Sequence, residues 1–429
     1  MRSIQNFPVE NINEIKLQLL LWAQQFNEVC VLDSNNFTDK YSSFTFLLGA
    51  DAKSSLRAPS NTNFDALAKY RSQTEDFILG FLGYDLKNEL EDLQSNNHDE
   101  LDFPDLFFFQ PKKLFFIHEN TLSFHYLPEV AHEIKTDWQS IKSTKTEQKS
   151  AKKAENIKVK LRIHKDDYHA RVSKMLDHIH RGDIYEANLC QEFYANGKID
   201  PVATFRHLNA ISSAPFASFF KFADNYLLCS SPERYLKKVG DKIISQPIKG
   251  TAPRSANKEE DAAFAKALQV DPKERTENIM ITDLVRNDLS RTALKGSVQV
   301  EELCGVYSFN QVHQMISTIT SQVPENIDSV EILKTTFPMG SMTGAPKLSA
   351  MKVIEEQEVS KRGLYSGSVG YFTPQGDFDF NVVIRSILYN AAKEYISFSV
   401  GSAITAQSIP EKEYEECLLK AKAMREVLE

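Results

Sequence analysis

Two pairs of glutamates recur at one spacing. Glu274 and Glu277 stand three apart in Lys273-Glu-Arg-Thr-Glu277, and Glu413 and Glu416 do so in Glu413-Tyr-Glu-Glu416. Residues three apart share a face of a helix, so each pair sets two carboxylates side by side. Two such faces brought together form an all-oxygen site that suits Mg²⁺ rather than zinc. No histidine lies near either pair. Taken alone, each pair reads as solvated helix surface.

Lys249 poses a second question. It follows the strand-like run Lys242-Ile-Ile-Ser-Gln-Pro-Ile248 and precedes Gly250-Thr251, a turn where a ligand can approach the backbone. A lone lysine there is also what a surface residue with a buried stem looks like. Arg385 lies in the apolar run Asn381-Val-Val-Ile-Arg-Ser-Ile-Leu388 and needs an anionic partner, from the protein or from a ligand. Lys420 follows Glu416 by four residues, the spacing of a helical ion pair. Two glycine turns complete the set. Phe337-Pro-Met-Gly-Ser-Met-Thr-Gly-Ala-Pro-Lys347 presents the hydroxyls of Ser341 and Thr343 with amides suited to a carboxylate, and Val400-Gly-Ser-Ala-Ile404 ends a strand. Neither matches a phosphate-binding or dinucleotide-binding loop, and an ordinary structural loop accounts for either one.

The elements that must position these residues are mixed. Apolar spacing predicts helices over 164–180, 258–269, 272–288, 328–335, 346–357 and 410–428, and strands over 226–229, 235–239, 242–248, 367–373, 379–389 and 395–400. Before residue 140 the chain is rich in Phe and Tyr. It contains short strands, among them Phe77–Tyr84, with an acidic helix expected from Asp85 to Leu93. Helices and strands fall in blocks without regular alternation, which predicts an α+β fold with mainly antiparallel sheet. The predicted organisation is an N-terminal lobe over 1–142, a charged linker or loop over 143–159 and a main region over 160–429.

Composition narrows the classes. The 429 residues carry a net charge of −8, a balance that implies no basic face for nucleic acid. Five scattered cysteines form no CxxC motif, so a disulfide framework and a zinc site are not expected. The N-terminus lacks an apolar signal core and no run reaches the ~18 apolar residues of a membrane span. A cytoplasmic protein is expected.

Together these segments resemble the chorismate-utilising family, which includes the large components of anthranilate and aminodeoxychorismate synthases and the isochorismate and salicylate synthases. The matching stretches are Gly182-Asp-Ile-Tyr185, Ser230-Ser-Pro-Glu-Arg234, Gln246-Pro-Ile-Lys-Gly-Thr251, Glu277–Leu289, Gly340–Lys347, Gly367-Ser-Val-Gly-Tyr371 and Glu413–Glu416, in the family's order. Val31-Leu-Asp-Ser34 and Gly80-Phe-Leu-Gly-Tyr84 resemble its N-terminal lobe more weakly. The resemblance implies two packed β-sheets flanked by helices, with the active site between them.

It also implies roles. The PIKGT form is that of members making 4-amino-4-deoxychorismate, on the route to p-aminobenzoate and folate. Members making anthranilate have alanine in place of Lys249. Lys249 would then be a nucleophile toward C2 of chorismate, with a depressed pKa, and Glu233 the acid that protonates the departing C4 hydroxyl. Glu277 and Glu416 would hold Mg²⁺, with Glu274 and Glu413 in support. Arg385, Tyr365, Thr343, Lys420 and the backbone of Gly250, Thr251, Gly401, Ser402 and Ala403 would bind substrate, and His313 would lie beside the ring, binding it and taking a part in catalysis. Ammonia is expected from a separate glutamine amidotransferase chain, since no Gly-x-Cys-x-Gly elbow occurs. The alternatives are an anthranilate synthase component and a silent relative that only binds chorismate. The sequence departs from the pattern at Glu186, where glutamine is frequent and the water-adding relatives carry a lysine base. It departs again at Ala403, where glycine is common, and at Ala252, where arginine often follows the motif.

Overall fold

The computed structural model describes residues 1–57, 62–146, 157–310 and 312–429. Residues 147–156 of the expected linker therefore lie outside the described residues. Among the described residues the named strand pairings are all antiparallel, and eleven α-helices surround them.

Two ladders share one long strand, Leu106–His118. The first runs outward from it through Phe46–Leu56, Glu28–Asp33, Phe216–Phe222, Asn225–Ser231, Ser386–Asn390 and Tyr395–Thr405 to Glu186–Asn196. The second passes through Ile78–Leu82, Ser368–Phe372, Phe378–Asn381, Arg234–Val239 and Lys242–Gln246 to Val312–Gln322. Ile248–Pro253 continues along Val312–Gln322, past a break at Pro247. Strands from residues 1–142 thus pair directly with strands of 160–429 at two places, Glu28–Asp33 with Phe216–Phe222 and Ile78–Leu82 with Ser368–Phe372.

Aromatic side chains hold the ladders face to face. Phe81 and Phe107 of the second meet Phe220 and Phe222 of the first, with centroids 5.3 Å apart for Phe81–Phe220 and 4.9 Å for Phe107–Phe222. Such pairs prefer edge-on or offset contact, which fixes the sheets relative to one another. Strand Glu28–Asp33 shows the layering. Cys30 faces the inter-sheet core, while Val29 and Val31 face the layer formed with the helices. Strands buried on both faces lose the period-2 pattern, which is why apolar runs mark them in the sequence.

Local chemistry places the ends of the helices. Asp271 caps Pro272–Ser290 by accepting from the Glu274 amide, with Pro272 in the first turn, where its missing N–H costs nothing. Pro410 opens the terminal helix Pro410–Leu428 in the same way. Two expectations are corrected. The acidic helix after Tyr84 is only a 3₁₀ turn, Tyr84–Leu86, and one helical turn, Lys87–Leu90. The apolar run 379–389 is not one strand: Phe378–Asn381 belongs to the second ladder and Ser386–Asn390 to the first, and the chain crosses between them.

Candidate active site

The chain passes between the ladders at two adjacent points. Strand Asn225–Ser231 leaves the first ladder, and after Pro232 and Glu233 the chain enters the second as Arg234–Val239. Residues 382–385 make the reverse crossing. Glu233 and Arg385 sit in these crossings and are coupled electrostatically. Glu233 is buried, and burial pushes its carboxyl up to about 7, against the opposing pull of Ser341, the Ile248 amide, Lys249 and Arg385. That is the range of a carboxylic acid able to give up a proton near neutrality. Burial pulls the Arg385 guanidinium down while Glu233 pulls it up. No carboxylate among the described residues lies within ion-pair distance of Arg385, so its charge is available to a ligand.

Lys249 stands on Ile248–Pro253, at the end of the second ladder. Its Nζ donates to Oε1 of Glu186 at 2.9 Å, from the opposite ladder. Burial pushes the amine down, but Glu186, Glu277 and Glu416 outweigh it and leave its pKa above the ordinary lysine value. The expected depression is therefore corrected: in the free protein carboxylates surround the amine and hold its charge. Asn278 fixes the backbone here, donating to the carbonyl oxygens of Lys249 at 3.0 Å and Met315 at 3.2 Å. Gly250 follows with φ 102°, a left-handed conformation costly for other residues, and a Cβ there would lie 3.1 Å from Glu274 Oε2.

The two glutamate pairs fare differently. Glu277 is pushed up to about 7 by burial and by Glu186 and Glu274, against Lys249 and Lys273. Glu274 is raised by burial, with Asp271 and Glu416 adding to it. For Glu416 burial acts upward, but Lys420 and Lys249 outweigh it and its pKa is lowered. The carboxylates of Glu186, Glu274, Glu277 and Glu416 thus act on one another or on Lys249. Glu413 is buried and accepts from the Ser402 hydroxyl. Among the described residues no three His, Cys, Asp or Glu side chains converge closely enough to hold a metal by themselves. The oxygen donors and mutual repulsion of Glu274, Glu277 and Glu416 fit a divalent cation that takes the rest of its shell from water or ligand.

The remaining candidates line the edge of the first ladder. Lys420 bridges Glu416 Oε1 at 2.7 Å and the Gly401 carbonyl at 2.9 Å, so the terminal helix and the Gly401–Ala403 segment are tied together. At Gly401 a Cβ would fall 2.2 Å from Asn188 Oδ1 and 2.7 Å from Cys190 Sγ, so glycine fits there without displacing those two side chains. Ala403 pairs with Asn188 across that strand. Tyr365 is buried, with its hydroxyl 3.9 Å from Cys190 Sγ. Thr251 is exposed and its backbone pairs with Gln314. Thr343 turns its hydroxyl onto the carbonyls of Met339, at 3.2 Å, and Gly340, at 3.3 Å. His313 is gripped through both ring nitrogens, by Ser308 at 2.8 Å and Asp261 at 3.0 Å, and those contacts are not with Lys249 or Glu233. Asn278 and Asp261 were not legible as site residues; only their place beside Glu277 and in a capped helix marked them.

The chain matches the chorismate binding enzyme family over residues 21–426. It belongs to that family. It is 39% identical to aminodeoxychorismate synthase component 1 of Escherichia coli K12 over 265 residues, which are 62% of this chain and 58% of the relative. It is 32% identical to anthranilate synthase component 1 of Thermus thermophilus over 360 residues, 82% of this chain and 77% of the relative. The match therefore spans less than two thirds of the E. coli protein's length. The fold is similar to that of anthranilate synthase component I from Streptococcus pneumoniae, with a TM-score of 0.78 at 24% identity over 91% of this chain and 95% of that one. The two-sheet α+β architecture expected from the sequence is thus the family's own.

Proposed function

We propose that this protein aminates chorismate, forming 4-amino-4-deoxychorismate through a covalent bond to Lys249. The observation that carries this reading is a lysine held against Glu186 of the opposite ladder and coupled electrostatically to Glu233, an acid poised near 7. A nucleophile and an acid in one cleft divide a difficult substitution into two easier ones. The Lys249 amine adds at C2, the ring double bonds shift, and the C4 hydroxyl leaves as water with a proton from Glu233. Ammonia then adds at C4 and the lysine departs. Arg385, half-buried and without a carboxylate at ion-pair distance among the described residues, would bind the enolpyruvyl carboxylate beside Tyr365. Glu277 and Glu416 would hold Mg²⁺, with Glu274 and Glu413 as outer carboxylates; when bound, the ion supplies positive charge for the ring carboxylate. Similarity to the E. coli component 1 supports a separate glutamine amidotransferase as the ammonia source.

A cytoplasmic setting accords with five free, buried cysteines and with the absence, among the described residues, of a helix long and apolar enough to cross a membrane. The test is incubation of the purified chain with chorismate, Mg²⁺ and an ammonium salt, with the product identified by mass spectrometry. Aminodeoxychorismate retaining its enolpyruvyl group is the expected product. Anthranilate and pyruvate would instead make this an anthranilate synthase component, the reading favoured by the longer match to the T. thermophilus protein. No product even with an amidotransferase added would leave a chorismate-binding relative without turnover.

A further inference from the structure

Glu186 meets Lys249 directly from the opposite ladder, on a rigid mount. It opens strand Glu186–Asn196, and its backbone is paired with Thr405 on one side and Ala345 on the other. It is 2% exposed, and its Oε1 is the only acceptor that Lys249 Nζ meets among the described residues, at 2.9 Å. Its Oε2 is buried with no hydrogen-bond partner. The Lys249 amine is the one hydrogen-bond donor its carboxylate meets among the described residues.

The 2.9 Å hydrogen bond is a direct path for a proton between the amine and the carboxylate. Moving one proton along the Lys249–Glu186 hydrogen bond removes both charges from the cleft. We propose that Glu186 is a catalytic base that takes the Lys249 proton when substrate binds and returns it when the lysine leaves. This rests on the reading of Lys249 as nucleophile. The Lys249 ammonium gives a proton to Glu186, and the freed electron pair forms the bond to C2. The C4–O bond breaks, with Glu233 supplying the proton that completes water. Ammonia then bonds to C4, the C2–N bond breaks with its electrons returning to Lys249, Glu186 restores the lysine proton, and the new ammonium reprotonates Glu233.

Other charges face the pair. Glu274 and Glu277 project from helix Pro272–Ser290, Glu416 from the terminal helix and Glu233 from its crossing, with Lys273 and Lys420 paired to Glu277 and Glu416. A carboxylate that merely restrained the lysine would leave the amine more reactive once removed, whereas a base leaves it slower. The two roles predict opposite signs.

The experiment compares wild-type chain with Glu186→Gln and Glu186→Asp in ammonia-dependent turnover, at saturating Mg²⁺, from roughly pH 6 to 9.5, with folding checked by circular dichroism. Base catalysis is typically worth about 10²- to 10⁴-fold. Glu186→Gln should lower kcat by about 10²-fold or more near neutrality and leave KM for chorismate unchanged. Its remaining rate should climb with pH, as only lysine that has lost its proton to solvent reacts. Glu186→Asp should recover part of the rate. The Lys249 adduct formed without ammonia, followed by intact mass, should accumulate slowly in Glu186→Gln. An equal or faster Glu186→Gln enzyme with the wild-type pH profile, or an adduct formed at the wild-type rate, overturns the proposal while leaving Lys249 as nucleophile. No adduct and no aminodeoxychorismate from the wild type overturns the Lys249 reading, and this proposal with it.

Discussion

Glu233 and Arg385 occupy two crossings that hydrogen-bond to each other: the Val382 amide donates to the Glu233 carbonyl at 3.0 Å, and the Ser230 amide to the Arg385 carbonyl at 3.1 Å. The acid and the cation are therefore fixed by backbone, and neither depends on a flexible loop. Such mounting preorganises a site without adding a side-chain contact.

Glu233→Gln should keep substrate binding and lose turnover by roughly 10²-fold or more, the usual worth of a positioned acid. In the wild type, activity dependent on protonated Glu233 should fall as pH rises through about 7. A pH–rate profile of the two proteins checks both points.

The same residue predicts a stability trend. Its folded pKa of about 7 lies above the ordinary 4.5, so the folded state binds the proton more tightly. That contribution is complete below 4.5 and is lost as pH rises toward 7. Glu277, also raised to about 7, acts in the same direction. Thermal melting between those pH values, without Mg²⁺, should show a smaller fall in Tm for Glu233→Gln than for wild type.

Lys249→Ala should fold and lose ammonia-dependent turnover by more than about 10²-fold, as expected when a nucleophile is removed. Glu186 is then left buried without its donor, so the variant's Tm should fall below that of wild type. A fully active Lys249→Ala protein would end the covalent reading.

Arg385→Gln should raise KM for chorismate by about tenfold or more, because a hydrogen bond to a charged group contributes about 1.5–3 kcal/mol. Since no carboxylate among the described residues lies within ion-pair distance of Arg385, stability should change little. Denaturant unfolding alongside kinetics separates the two effects.

Glu277→Gln should raise the Mg²⁺ concentration needed for half-maximal rate. Gly250→Ala tests the support behind it, since φ 102° and the 3.1 Å approach to Glu274 both oppose a side chain. It should destabilise by about 1–3 kcal/mol and also shift the Mg²⁺ titration. An unchanged titration in Glu277→Gln would remove that residue from the metal site.

The candidate site was legible where chemistry is local. Glu-x-x-Glu spacing, the capped start of Pro272–Ser290 and the lysine before Gly250 are stretches of a few residues whose types limit their geometry. The α+β class followed from apolar runs of strand and helix length. Less was legible where one apolar run serves two sheets. Asn381–Leu388 looks continuous because both its halves are buried, and nothing in its pattern marks the crossing at Arg385.

Thus residue types, read with the family resemblance, named the candidate cast: a lysine, an acid, four paired carboxylates, an arginine and glycines where backbone must come close. Tertiary structure decided who meets whom. Lys249 and Glu186 are 63 residues apart and on different ladders, and their contact depends on how two sheets pack. It also decided the charge state, because the carboxylates gathered around Lys249 outweigh the burial that would otherwise lower its pKa. Electrostatic energy depends on distance through space and on solvent exclusion, and a linear sequence specifies neither.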